Sequence, residues 1–196
     1  FINYAKQYTD MPFVIMLDQD KQVYKAGRFL RASDLGIDSD NNEWKPMIYD
    51  LESQQFVVPN GTMGQRWEEG KQWNLKLETD DGQTINPTLT MANTEYDIKT
   101  IQFPYFDSDG DGIFKRPIPT YTLQLANGQN VQVTTVYDLM ASQYGIQRFN
   151  HAMEATSYDD QQSKYTPAWQ ESITGVKAST VTQIARELSL IHISEP

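Results

Sequence analysis

From residue 18 to residue 134 the chain is punctuated as β structure, and this constrains its fold more than any other feature. Brief apolar or alternating runs are separated by turn residues. The runs at 23–26, 47–50, 56–58, 73–77, 98–103, 121–125 and 131–134 predict strands. Asn60-Gly61, Asp81-Gly82 and Asn127-Gly128 supply turn chemistry, because Asn, Asp and Gly tolerate the positive φ of tight hairpins. The last pair separates two of the runs, so a hairpin is expected over 121–134.

Helical signals lie on either side. Residues 1–8 read as the last turns of a helix begun upstream, ended at 9–12 because the residue before Pro12 is pushed out of the helical region. The following PFVIML (12–17) is short and continuously apolar, as in a buried strand. After Thr134 a helix is predicted over 136–144. Thr135 is its cap, Asp138 stands three residues on as in a capping box, Val136, Leu139 and Met140 form its stripe, and Gly145 is a left-handed stop. A second helix follows Thr166-Pro167 and stops before Gly175. A third starts at Ala178, with Val181, Ile184, Ala185 and Leu188 at helical spacing.

The fold class is therefore α/β in the broad sense, a mixed α+β fragment with short antiparallel strands followed by three helices. Four segments are expected: a helix end and strand (1–17), a β-rich region ending in a helix (18–164), two further helices (165–187), and a tail (188–196). The tail, LSLIHISEP, resembles the conceptual translation of a sequencing adapter and is set apart from the fold.

Composition narrows the function classes. With 196 residues, 39% apolar and 12% aromatic, the chain is long and apolar enough for one domain with a core. A net charge of −10 opposes phosphate backbones and anionic membrane surfaces, so no nucleic-acid partner is expected. The absence of cysteine excludes disulfides, thiolate nucleophiles, iron–sulfur ligation and cysteine-based zinc sites within these residues. No stretch approaches the roughly 18–20 apolar residues that span a bilayer, and no signal-peptide plan opens the chain, so the fragment itself is expected to be soluble.

The sharpest chemical motif is Asp107-Ser108-Asp109-Gly110-Asp111-Gly112, with carboxylates at positions 1, 3 and 5 and glycine at position 6 of a calcium loop. Position 12 is Ile118 where a bidentate Glu is needed, and Pro117 and Pro119 preclude a regular exiting helix. A polar surface loop is the alternative reading. His151 and His192 have no evident carboxylate or nucleophile partner. Asp34, Asp38 and Asp40, like Asp159-Asp160, read as solvated charges rather than an acid–base pair. Gly61 to Gly64 with Arg66 is too sparse for a phosphate loop. Trp67, Trp73, Tyr96, Phe103, Tyr105 and Phe106 read as core packing. No catalytic or metal-ligating residue is expected, and no cofactor-binding residue is assigned.

Six strings, YTDMPFVIML (8–17), AGRFLRASDLG (26–36), VVPNGTMGQRWEEGKQWNLKLE (57–78), FPYFDSDGDGIFKRPIPT (103–120), TTVYDLMASQYG (134–145) and YTPAWQESITGV (165–176), together resemble the catalytic alpha subunits of respiratory nitrate reductases. These belong to the enzymes that use a bis-molybdopterin guanine dinucleotide cofactor. The resemblance implies an internal fragment of that subunit, with residues 18–164 largely an insert on a larger molybdopterin oxidoreductase scaffold. It also implies reduction of nitrate to nitrite at molybdenum, with a 4Fe-4S cluster and all cofactor ligands outside this fragment, which alone is expected to be inactive. The implied partners are an iron–sulfur beta subunit and a haem-bearing membrane gamma subunit, at the cytoplasmic face of the cell membrane. Two other readings are a fragment of a nitrite oxidoreductase catalytic subunit and an autonomous calcium-binding β module.

Overall fold

The computed structural model describes residues 2–65, 68–70, 75–104 and 113–194. The chain divides into a barrel unit, Ile2–Gln102 with Ile118–Leu139, and a helical unit, Phe103–Pro117 with Met140–Pro196.

In the barrel unit α1 (Ile2–Tyr8) leads to β1 (Val14–Asp20) and β2 (Val23–Phe29). β3 (Ile48–Asp50) and β4 (Gln55–Val57) pair antiparallel as a separate small sheet. β5 (Asp97–Pro104), β6 (Ile113–Gln124) and β7 (Asn130–Thr135) complete a closed barrel in the order β1-β2-β5-β6-β7. β1 lies antiparallel to two neighbours, with Leu17 opposite Ala26 on one side and Gln132 on the other. The sequence predicts antiparallel strands, but the pairing is not antiparallel throughout: Tyr24 of β2 pairs with Ile101 of β5 in parallel. The long excursion through residues 30–96 supplies the crossover that parallel neighbours need.

The strand sequences explain their placement. β1 buries Val14, Ile15 and Leu17 and then exposes its acidic end. The core joins Val14 and Val133 to Leu30, Met47, Tyr49 and Met91 from the connecting segments and the small sheet. Each fully buried Leu or Met contributes about 2–3 kcal/mol.

The expected hairpin over 121–134 forms, with Tyr121 opposite Val133 and Gln124 opposite Asn130. Only Gly128 takes positive φ, at 83°, while Asn127 acts through its side chain, whose Oδ1 accepts from Gln129 N at 2.9 Å. β6 starts earlier than expected and contains Pro117 and Pro119. Its ladder with β7 begins at Tyr121, beyond both prolines, so their missing N–H groups cost no bond there. The strand predicted at 73–77 reduces, in its described part, to a bridge between Asn60 and Lys76. Pro59 has no N–H and Gly61 turns away at φ 78°, so Asn60 alone offers a pairing site.

The helices are α2 (Val136–Gln143), α3 (Pro167–Thr174) and α4 (Ala178–Ser194), the last running on through residues 188–194. Thr135 caps α2 by accepting from Asp138 N at 3.0 Å. The expected capping box is only half made, because the Asp138 carboxylate turns to Thr90 and Met91 instead. Gly145, at φ 68°, ends α2 in a Schellman motif: its N–H reaches Ser142 O and that of Ile146 reaches Ala141 O. Thr166 caps α3 through Trp169 N at 3.1 Å, with Pro167 in the first turn and Gly175 left-handed at its end.

Within the helical unit a chain of rings supplies the packing. Phe103 stacks on Phe114 at 5.5 Å, Phe114 meets Tyr165 at 5.6 Å, and Tyr165 meets Tyr144 and Trp169 at 5.9 and 5.4 Å.

Candidate functional site

The helical unit carries a groove of about 650 Å³, lined among others by Tyr144, Ile146, Tyr158, Tyr165 and Pro167. The Schellman turn after α2 supplies Tyr144 to Gln147, the loop before α3 supplies Ala155 to Tyr158, and the capped start of α3 supplies Tyr165 to Pro167. Tyr165 holds its place at φ 71°, a left-handed conformation costly for a tyrosine and sustained here by the ring contacts on three sides.

Ionic groups hold these segments in place. Arg116 is buried and lies over the Phe114 ring at 5.1 Å, with one guanidinium nitrogen 3.3 Å from Lys164 O. Burial lowers its pKa, partly offset by Tyr165 and Asp160. The buried Glu154 carboxylate accepts from the backbone N–H groups of Arg148, Phe149 and His151 at 2.9–3.1 Å. Asp160 accepts from Ser163 Oγ at 2.8 Å and from the N–H groups of Ser163 and Gln162. These bonds, the Ser163 hydroxyl first, hold its carboxyl down at about 2.

The buried charges of the barrel unit are likewise bound to structure. Asp138 accepts from Thr90 Oγ1 at 2.7 Å and Met91 N at 2.8 Å. Lys45 meets Glu68 Oε1 at 2.5 Å, and a methyl group on Gly64 would strike Lys45 Cγ. Asp50 accepts from Ser53 Oγ, Ser53 N and Asn86 N. Burial pushes the Asp50 pKa up, but these donors together with the Glu52 backbone N–H outweigh it and the net shift is downward.

The sequence candidates do not converge. Asp34 forms a two-point pair with Arg28 and accepts from Arg31 N, while Asp38 and Asp40 are exposed. The net pKa shift of Asp34 is downward, because these bonds outweigh the upward push of burial. Of Asp159-Asp160, only Asp160 is tied into its turn by side-chain bonds. His151 is exposed and its Nδ1 accepts from Met153 N, a local turn contact. In the segment Gly61 to Gly64, Gly64 lies against Lys45 and the Asn41 carbonyl. Phe103 is buried in the ring chain and Tyr96 is half exposed. Asp107, Asp109, Asp111, Arg66, Trp67, Trp73, Tyr105 and Phe106 lie outside the described residues, and so does the side chain of His192.

Arg116, Glu154 and the Lys45–Glu68 pair were not legible as structural ions. No motif marks them: Arg116 and Lys45 meet partners brought in from elsewhere along the chain, whereas Glu154 gathers N–H groups three to six residues upstream in an irregular loop. Among the described residues no three His, Cys, Asp or Glu side chains are grouped to hold a metal. With no cysteine in the chain, these residues do not fit a thiolate-bound iron–sulfur cluster.

Fold and site together define a mixed α+β segment, a small barrel with capped helices, whose described ionic groups brace loops and helix ends. Comparison with known proteins gives the relationship. No protein-family model matches the chain. It is 43% identical over 190 residues to the nitrate reductase alpha chain of Bacillus subtilis (strain 168) and 42% identical over 205 residues to the respiratory nitrate reductase 1 alpha chain of Escherichia coli (strain K12). It is 37% identical over 194 residues to the respiratory nitrate reductase alpha chain of a Bradyrhizobium species. Each comparison covers 96% of this chain, which spans only 15%, 16% and 18% of the respective relatives. The chain is a homologue of one segment of the nitrate reductase alpha chains.

Proposed function

We propose that these residues are a bracing segment of the catalytic subunit of a quinol-linked respiratory nitrate reductase. The observation that carries this reading is the 43% identity over 96% of the chain to a nitrate reductase alpha chain. The whole subunit takes nitrate, two electrons and two protons to nitrite and water. A molybdenum bis-molybdopterin guanine dinucleotide supplies the site for oxygen-atom transfer, and a 4Fe-4S cluster brings the electrons. The ligands of both groups lie in other parts of the subunit.

The protein's contribution to such chemistry is orientation and electrostatics, and the part of these residues is to hold shape. The remaining subunit is built around these residues, with residues 18–164 hung largely as an insert between elements of the shared scaffold. An iron–sulfur beta subunit and a haem-bearing membrane gamma subunit complete the complex at the cytoplasmic face of the membrane. No helix among the described residues is long and apolar enough to cross a membrane, so attachment in this reading comes through the gamma subunit.

The test is nitrate reduction driven by reduced viologen. The full-length subunit containing this segment, loaded with its cofactors, is expected to form nitrite, and the 196-residue chain alone is expected to form none. A loaded full-length subunit that oxidises nitrite but leaves nitrate untouched contradicts the proposal, as does turnover by the short chain.

A further inference from the structure

The groove of the helical unit presents large apolar side chains that the described residues leave uncovered. Tyr144, Ile146 and Tyr158 along it are 51%, 49% and 66% exposed. The neighbouring helices and the link between them continue the pattern: α3 buries no residue, and Ile173, Val176 and Ile184 are 55%, 45% and 51% exposed. Single exposed apolar residues are ordinary on a soluble surface, but several gathered along one concavity mark a contact surface.

We infer that this tyrosine-lined groove is the seat of an apolar segment from the remainder of the same alpha polypeptide. The inference rests on the reading of the chain as part of a longer subunit. Relatives match 96% of this chain while it covers 15–18% of them, so most of the polypeptide is available to fill the groove. A segment in the same chain reaches the groove at high effective concentration and needs no second molecule. The groove's chemistry suits it. Rings and an isoleucine offer apolar area, and the phenolic hydroxyls of Tyr144 and Tyr158 can meet the backbone polar groups of an extended segment. The net charge of −10 disfavours an anionic lipid surface as the cover.

The experiment uses the full-length alpha chain, purified without its partner subunits, with a cysteine introduced singly as Ile146→Cys, Tyr158→Cys or, as an exposed control, Gln161→Cys. Maleimide labelling of the corresponding peptides is followed by mass spectrometry, with rates in denaturant as the reference. A covered groove slows labelling at 146 and 158 by about tenfold relative to 161, since thiol reaction requires access. Hydroxyl-radical footprinting of the unsubstituted chain gives a second reading that needs no variant, with Tyr144 and Tyr158 expected to be protected. Equal rates at all three positions, with unprotected tyrosines, overturn the inference. Protection that arises only on adding partner subunits, on raising protein concentration, or on adding anionic vesicles also overturns it, in favour of another chain, a second copy or a membrane. The intact mass of the natural protein separates the two levels: a polypeptide no longer than these 196 residues removes the parent reading as well, whereas a much longer one with an open groove removes only this inference.

Discussion

Asp138 shows how a residue with a legible local role acquires a less legible tertiary one. Its place three residues after Thr135 marks a helix start, yet its carboxylate ties Thr90 and Met91 to α2 across 47 or 48 residues of sequence. Asp138→Ala leaves buried donors unpaired and is expected to cost about 3 kcal/mol, read as faster amide exchange around Met91 and the start of α2. Lys45→Ala should cost a similar amount, about 3 kcal/mol, by stranding the Glu68 carboxylate, and a urea titration of the barrel transition checks it. Asp160 makes the pH prediction. Its folded pKa of about 2 lies below the ordinary value near 3.9, so its contribution is complete above about pH 4 and is lost as pH falls towards 2. The amide signals of Gln162 and Ser163 should titrate with that low midpoint, and Asp160→Asn should abolish the titration. Caps such as Thr135 and Thr166 were readable because their partners lie within three residues. Lys45 and Arg116 were not, because their environments depend on how distant segments are packed, and Glu154 was not, because it gathers nearby N–H groups in an irregular loop rather than at a helix start.

The elements were readable to the extent that their signals are local. The hairpin between β6 and β7 and the ends of α2 and α3 are written in adjacent residues, since Gly128, Gly145 and Gly175 all take positive φ. Parallel pairing of β2 with β5 and closure of the barrel are relations between strands far apart in sequence, and no local pattern encodes them. β6 was underestimated because its two prolines argue against a strand unless the ladder that begins at Tyr121 is known. The glycines yield a comparison of elements. Gly145→Ala places a methyl group 3.1 Å from Arg116 Nε besides incurring the left-handed backbone cost, whereas Gly128→Ala meets nothing within 4 Å. The first is expected to destabilise by about 2 kcal/mol and the second by about 1 kcal/mol, with thermal unfolding of the two variants as the check. Equal losses would mean that the contact with Arg116 is relieved without cost.

At the scale of the whole molecule, the sequence carried the relationship more clearly than any site. The strings from residue 8 to residue 176 resemble nitrate reductase alpha subunits, and the relatives match the chain almost throughout, while no candidate pair or triad of side chains assembles among the described residues. These facts agree if the chemistry belongs to the longer polypeptide and this segment gives it form. The calcium-module reading gains nothing from the comparisons, and its loop lies outside the described residues. The most direct measurement is the coding sequence on both sides of this segment, recovered from genomic DNA. The account predicts one continuous frame several times longer than these 196 residues, with a histidine-and-cysteine cluster motif upstream and a different sequence in place of the final LIHISEP. A start codon immediately before Phe1 and a stop immediately after Pro196 would contradict it and leave a small independent protein.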